Sequence, residues 1–304
     1  MRFGSSRLVA LVATVCLALF AAACGSDSGS SQSGSSSGGA SGGAPSGGAV
    51  DKAAAAAVPQ AFKSKGTLTV ATDPSYAPNE FVGSNGSKIE GMDIDLANGL
   101  GAAMGLKVNV VKATFDGIIP GLGAKKYDLG ISSFTDTKER EKTVDFVTYF
   151  SAGTSFYVKA SGGPSITGLA SLCGHKVATE RGTTQAADAA KQAKKCGGGT
   201  TSLVFPDQNG ANLAISSGRA DVGMADSPVA AYQVKQSGGQ FKLTGSPYGT
   251  APYGIAMPKG SGLDKPVLAA LKALKASGKY EQILKQWGVQ DGAISSFQVN
   301  GATS

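Results

Sequence analysis

The stretch Tyr127-Asp128-Leu129-Gly130-Ile131-Ser132-Ser133-Phe134-Thr135-Asp136-Thr137-Lys138-Glu139-Arg140-Glu141-Lys142 decides how the chain is read. Its first five residues have the branched, apolar character of a short buried strand. Hydroxyls follow on Ser132, Ser133 and Thr135, and Thr137 stands where it can cap a helix that carries Lys138 to Lys142. In an open α/β sheet, ligands bind beyond the carboxyl ends of the strands. A guanidinium from Arg140, one helical turn past the cap, can there grip a carboxylate in a two-pronged pair. Taken alone, the run reads more simply as a turn before a solvated charged helix. The rest of the chain must overturn that reading.

Upstream, Thr67 to Thr72 alternates as a strand does and runs into Asp73-Pro74-Ser75-Tyr76-Ala77-Pro78. Two prolines fix that loop, so Asp73 and Tyr76 lie just past the strand end. Asn85-Gly86 marks a hairpin turn. Ile94, Ala97, Leu100 and Met104 recur at helical spacing, Lys107 to Val111 reads as a strand, and Thr114 to Pro120 opens a second helix with Asp116 as its N-cap. The alternation of strand and helix up to Ile131 predicts a parallel α/β lobe.

Downstream, 144–150 and 155–159 are extended segments leaving that lobe, and Gly162-Gly163-Pro164 is a break. A second α/β round follows. Lys176 to Glu180 is a strand, Arg181-Gly182-Thr183-Thr184 a turn, and an alanine-rich helix ends at Cys196 and three glycines. Leu203 to Phe205 and Arg219 to Asp226 are strands, with Asp226 at a carboxyl end and Ser227-Pro228 opening a helix. Tyr253 to Met257 returns to the first lobe. The closing helices carry apolar stripes, from Val267 to Leu274 and from Tyr280 to Trp287, read as core.

Arg2 and Arg7 precede an uncharged apolar run from Leu8 to Ala23, too short to span a bilayer comfortably, so 1–23 reads as a signal peptide. Ala21-Ala22-Ala23-Cys24 resembles a bacterial lipobox, with cleavage before Cys24 and lipid on its thiol; ordinary cleavage after Ala23 is the alternative. Residues 24–65 read as lipid anchor and Gly/Ser/Ala-rich tether, with 51–58 open between tether and helical turn. Cys173 and Cys196 read as one disulfide in an oxidising compartment, against a pair of buried free thiols. The net charge of +7 becomes +5 without Arg2 and Arg7, and the lysines are spread out rather than blocked. That suits a surface held near an anionic membrane and argues against a nucleic-acid partner. A single histidine, His175, excludes most multi-histidine metal sites, and there is no nucleophile elbow or dinucleotide loop. No cofactor and no metal are expected.

Along 66–290 the chain shows, in order, Asp73-x-x-Tyr76, Gly91-Met92-Asp93-Ile94-Asp95-Leu96, Phe115-Asp116-Gly117-Ile118-Ile119-Pro120, Tyr127-Asp128 and Thr137-x-x-Arg140. Asp145-Phe146, Arg181-Gly182-Thr183-Thr184, Gly218-Arg219-Ala220-Asp221, Asp226-Ser227 and Trp287-Gly288 follow. This ordered set resembles the type II solute-binding proteins of ABC importers, in their polar-amino-acid branch. The resemblance implies two α/β lobes, 66–159 plus 251–290 and 162–249, joined by two crossing strands and closing over a ligand at the hinge, with 291–304 as a tail. It implies that Arg140 grips the ligand α-carboxylate and that Ser132, Ser133 and Thr135 add hydroxyl and backbone contacts. Thr183 and Thr184 would offer free N–H groups at a helix start, Asp226 would receive the α-ammonium, and Tyr76 and Phe115 would flank the side chain. Each has a structural rival: Asp226 as an N-cap, Phe115 as core, Thr183 as a plain cap.

The resemblance implies that Asp73 and Glu180 occupy positions that in this branch meet the distal group of the ligand. Two carboxylates there favour a basic amino acid, because unpaired buried charge is costly; a single hydrogen-bonded carboxylate suits glutamine instead. Arg181, turned inward, would pair with Glu180 and erase the preference. Ala77-Pro78-Asn79 departs from the family's common Pro-Pro-Phe, and the cysteine pair is not general to the family. The expected protein is an extracytoplasmic, membrane-anchored monomer that delivers a polar, leaning basic, amino acid to an ABC permease. A prephenate- or arogenate-type dehydratase on the same scaffold, with Glu180 as acid or base, and a ligand-sensing lipoprotein are the rivals.

Overall fold

The computed structural model describes residues 49–303. The signal peptide, the Cys24 anchor and most of the Gly/Ser tether lie outside the described residues. Helices α1 (Lys52–Ala57) and α2 (Gln60–Lys65) lead into β1 (Thr67–Thr72), β2 (Ser75–Tyr76), β3 (Glu80–Val82), β4 (Ile89–Glu90), α3 (Met92–Met104), β5 (Lys107–Lys112), α4 (Phe115–Gly123), β6 (Leu129–Gly130) and α5 (Lys138–Glu141). Strand β7 (Val144–Lys159) precedes β8 (Lys176–Glu180), α6 (Thr184–Lys195), β9 (Thr201–Phe205), α7 (Gln208–Ser216), β10 (Val222–Asp226), α8 (Ser227–Gln236), β11 (Phe241–Pro258), α9 (Asp264–Ala276) and α10 (Lys279–Gln286).

One eight-stranded sheet runs through the molecule in the order β5-β1-β6-β11-β7-β10-β8-β9. At one end β1 pairs in parallel with β5 and β6; at the other β8 pairs in parallel with β9 and β10. The two ends are joined by β7 and β11, antiparallel to each other from Val144 opposite Pro258 to Lys159 opposite Phe241. The segments 144–150 and 155–159 are thus one strand, and Tyr253–Met257 is part of another. Their pairing slips on either side of Tyr248. There a Cβ on Gly153 would stand 2.8 Å from the Tyr248 carbonyl oxygen, so only glycine lets the strands cross so closely. The Asn85-Gly86 turn joins β3 to β4 in a small antiparallel sheet with β2, and Gly86 takes the left-handed φ of 74° that the turn needs.

The first half of the sheet has the larger core, in which Leu96, Leu100, Leu271, Leu284 and Tyr280 cover one face. In the second half Phe156, Val158, Val177, Val222 and Met224 form one cluster, and Tyr157, Ala211, Ile215 and Val229 another. Cys173 and Cys196 are bonded, tying the approach to β8 to the end of α6. Trp287 packs on the first core, donates Nε1–H to Asp95 Oδ2 at 2.9 Å and meets Phe81 edge-on.

Three expectations are corrected. Gln60–Lys65, within the expected tether, forms α2, while 51–58, left open, takes the helical alternative, with Asp51 capping α1 and Ala54 and Val58 in the main core. Residues 291–303 are no loose tail: Phe297 is buried edge-on against Tyr280, and Val299 bridges to Val147. Asp116 is not the cap of α4; Thr114 stands at that position, and the Phe115 N–H is satisfied by Asp73 Oδ2 at 3.0 Å.

Candidate ligand-binding site

The parallel strands of both halves end facing each other, and between them lies a cavity of about 10 Å³, room for about one water molecule. It is lined by every residue singled out in the sequence: Asp73, Tyr76, Phe115, Ser132, Ser133, Thr135, Arg140, Glu180, Thr183, Thr184 and Asp226. Glu80 and Gln185, not anticipated, line it too.

Arg140 sits on the one-turn helix α5, whose N-cap Thr137 accepts the Arg140 N–H at 3.2 Å. Its guanidinium lies 5.4 Å from the centre of the Phe115 ring and 5.5 Å from that of Phe134, and the two rings stack 4.5 Å apart. It donates to Thr135 O at 2.7 Å and, across the cleft, to Gly182 O at 2.9 Å. A guanidinium has five N–H donors, so three remain for a ligand. Burial pushes its pKa down to about 10, against the pull of Asp226 and Asp136, so it stays charged at neutral pH.

Asp226 closes β10 and is buried. Its Oδ1 accepts from Gln185 Nε2 at 2.7 Å, and its backbone N–H donates to the Tyr76 hydroxyl at 3.0 Å, a bond that crosses the cleft. The carboxylate does not cap its own helix. Burial raises its pKa to about 6, while Tyr253, Tyr76, Gln185 and Arg140 oppose the rise. Thr183 caps α6: its hydroxyl accepts from Ala186 N–H at 3.1 Å and donates to Glu180 O at 2.7 Å. The helix's first backbone bond runs from Ala187 N–H, so the N–H groups of Thr184 and Gln185 precede the ladder and point out of the helix end.

The distal end is acidic. Glu180 is buried, and its Oε1 has no hydrogen-bond partner among the described residues. Burial raises its pKa well above the carboxylate range, and Asp73, Asp207, Asp226 and Asp116 raise it further. Arg181 does not turn inward; its side chain is 54% exposed and faces Asp116 at 3.8 Å. The neutralising pair that would have erased a preference for cations is absent. Asp73 is half-committed, since Oδ2 holds the start of α4.

Ser132 and Ser133 line the cavity with their hydroxyls already engaged within the protein. Ser132 Oγ accepts from Asp73 N–H at 2.9 Å and donates to Glu80 Oε1 at 3.1 Å; Ser133 Oγ accepts from Asn79 Nδ2 at 2.9 Å and faces Glu80 Oε2 at 3.2 Å. Behind the cavity they feed a buried acid pair, Glu80 and Asp93, the latter also held by Tyr149 Oη at 2.7 Å and the Ser133 N–H at 2.8 Å. Burial and mutual repulsion raise the pKa of Glu80, which keeps the pair's proton. Nothing in the local pattern of Pro78-Asn79-Glu80-Phe81 marks this glutamate, because its partners lie more than ten residues away. Gln185 was legible: it follows Thr184 at the same helix start.

Two hinged α/β halves, with charged groups of both signs turned into the cleft between them, define a two-lobed binding protein for small solutes. The chain belongs to the bacterial extracellular solute-binding proteins, family 3, whose model matches residues 68–290. It is 32% identical to the arginine-binding protein ArgT of Corynebacterium glutamicum over 250 residues, 81% of this chain and 82% of that one. Its structure resembles an ancestral arginine-binding protein bound to arginine, with a TM-score of 0.69 and 39% identity over 73% of this chain and 98% of the other. It also resembles an ancestral amino-acid-binding protein described as a precursor of cyclohexadienyl dehydratase, with a TM-score of 0.67 and 36% identity over 75% and 97%.

Proposed function

We propose that this chain binds a basic L-amino acid of the arginine, lysine or ornithine type and hands it to an ABC import permease. The observation that carries the ligand class is Glu180, a buried carboxyl with an unpartnered oxygen among other acids, beside an arginine turned to solvent. A ligand cation is the charge that such a site lacks. Arg140 and the first N–H groups of α6 take the α-carboxylate, Asp226 the α-ammonium, and the methylenes lie against Tyr76 and Phe115. The distal cation reaches Glu180, with Asp73 beside it. Thr135 contributes through its carbonyl, which orients Arg140, and Ser132 and Ser133 act by holding the loop.

The lobes, 66–159 plus 251–290 and 162–249, rotate about the crossing of β7 and β11, so that contacts of the second lobe are gained on closure and ligand shifts the balance. Cys24 carries a lipid that keeps the monomer at the outer membrane face, and the tether gives it reach. The site binds without turnover, a reading supported by a relative named for binding arginine; the dehydratase precursor among its likenesses makes catalysis the alternative.

Calorimetry with L-arginine, L-lysine, L-ornithine, L-glutamine and L-glutamate tests the reading. Basic amino acids are expected to bind tightest. Glutamate bound tightly, or glutamine bound as well as arginine, overturns the ligand class. Mass spectrometry of ligand recovered after incubation is expected to return it unchanged; a converted product overturns the non-catalytic reading. Uptake of labelled arginine by cells, lost on deletion of the chain, separates transport from sensing.

A further inference from the structure

Helix α5 carries Arg140, yet it has only four residues, none of them fully buried. One turn of helix has no stability of its own, since nucleation is unfavourable and no further bonds repay it. Something outside must hold it. The residues on either side of Arg140 are held by the end of the chain: Gly301 N–H donates to Asp136 Oδ2 at 2.8 Å, and Ala302 N–H donates to Glu141 Oε1 at 3.1 Å.

The donors are themselves fixed. Gln298 N–H donates to Thr148 Oγ1 and Thr148 N–H to Gln298 O, both at 2.8 Å. Val299 bridges Val147, and Asn300 exchanges bonds with Phe146 through its backbone N–H at 3.0 Å and its Oδ1 at 2.9 Å. Phe297 anchors the run in the core. Residues 298–300 therefore lie along the first-lobe stretch of β7, from Phe146 to Thr148, and Gly301 and Ala302 end on the two carboxylates that flank the arginine. Asp136 is fully buried, and its Oδ1 has no partner among the described residues, so the Gly301 N–H is the one donor that its carboxyl oxygens have within the described structure.

We infer that this C-terminal strap is a positioning element for Arg140: by clasping Asp136 and Glu141 it fixes the short helix from which the guanidinium meets the ligand. The inference rests on the reading that Arg140 holds the carboxylate. It predicts an effect on binding that passes through one side chain and not through stability at large.

The test is a double-mutant cycle on the full chain, with L-arginine affinity read by calorimetry and folding by thermal melts. One change removes residues 300–304, keeping Phe297 and Val299; the other is Arg140→Lys. The truncation is expected to weaken binding about tenfold in the otherwise natural chain, as the loss of two hydrogen bonds to carboxyl groups suggests, and less than about twofold in the Arg140→Lys background. Equal losses in both backgrounds, or no loss in either, overturn the strap's role. Arg140→Lys binding as tightly as the natural chain overturns instead the reading of Arg140. Should the truncated chain fail to fold, Ala302→Pro, which removes the strap's donor to Glu141 and leaves that of Lys138, takes its place in the same cycle with the same outcomes.

Discussion

Replacing Glu180 by Gln removes the one buried, unpartnered acid at the distal end of the cavity while keeping its shape. Truncating one partner of a buried charge pair costs about 2–5 kcal/mol. Here part of that is offset, because Glu180 is held protonated and must lose its proton before it can pair with a ligand cation. Each pH unit below the ligand-free pKa charges about 1.4 kcal/mol against binding. At pH 7 we expect Glu180→Gln to weaken L-arginine binding by about 2 kcal/mol, or ~30-fold. As the pH falls, the proton cost at Glu180 grows for the natural chain and is missing from the variant, so the two affinities draw together on the acid side. The sign is fixed by the direction of the shifts: burial and neighbouring acids raise Glu180 in the free protein, a guanidinium lowers it, and binding releases a proton. Affinity therefore rises with pH, by at most tenfold per unit from this group. Calorimetry at about pH 5.5, 6.5 and 7.5, in two buffers of different ionisation enthalpy, counts the proton. Asp73 and Asp226, also raised, leave a residual slope in the variant. A natural chain whose affinity is flat in pH, or a Glu180→Gln variant as tight as the natural chain at pH 7.5, would refute the placement of Glu180 against the cation.

Arg140→Ala and Asp226→Ala are each expected to weaken L-arginine binding by about 2–5 kcal/mol, since each strands a charge of the ligand; calorimetry showing near-natural affinity in either sinks the assigned pose. The ligand-free protein is expected to melt at lower temperature as the pH rises from about 5 to 8. Asp226 at about 6 in the fold against ~3.9 unfolded contributes stability that is whole below pH ~4 and gone above its folded pKa. Glu180 and Glu80, raised further, extend the loss upward; a melting temperature that climbs over this range contradicts the buried-acid account. Replacing both Cys173 and Cys196 by Ser is expected to cost about 2–4 kcal/mol and lower the melting temperature by roughly 5–10 °C. Binding should persist, because the bond sits at the end of α6 away from Thr184; a lost affinity would mean that the second lobe cannot form its site without it.

The alternation of strands and helices was legible because each parallel strand is a short apolar run bounded by turn residues. So were the strand ends, and with them the cavity lining. What escaped was what local pattern does not encode. The lengths of β7 and β11 come from pairing with each other, so a run such as Phe241–Thr250, polar and glycine-broken, becomes strand only because β7 lies beside it. The strap from 294 to 302 has no periodicity and is held by backbone bonds to Thr148 and Phe146. Ser132 and Ser133 were correctly placed at the cavity, but their hydroxyls turn to Glu80, a partner more than fifty residues away. Arg181 shows the same limit from the other side: its sequence position beside Glu180 left two orientations open, and only the approach of Asp116 across the cleft decides between them.

That approach belongs to a wider charge pattern across the cleft. From the first lobe Ser75 Oγ accepts the Gln208 N–H at 3.1 Å, Tyr76 Oη accepts the Asp226 N–H at 3.0 Å, and Arg140 donates to Gly182 O at 2.9 Å. Each such bond replaces one to water, and together they contribute only about 0.5–1.5 kcal/mol apiece. Against them, closure gathers Asp73 and Asp116 of the first lobe with Glu180, Asp207 and Asp226 of the second, the acids that raise the Glu180 pKa. The closed geometry is therefore favoured by a few hydrogen bonds, one of them from the charged Arg140, and by the Arg181–Asp116 pair, and opposed by acid crowding, which raises the Glu180 pKa. In the proposed pose a basic amino acid removes the opposition at its source: its cation takes the place of the proton at Glu180 while its carboxylate takes the free donors of Arg140. The same acids that make closure unfavourable alone thus make it selective, because a ligand with a neutral or anionic side chain leaves them crowded.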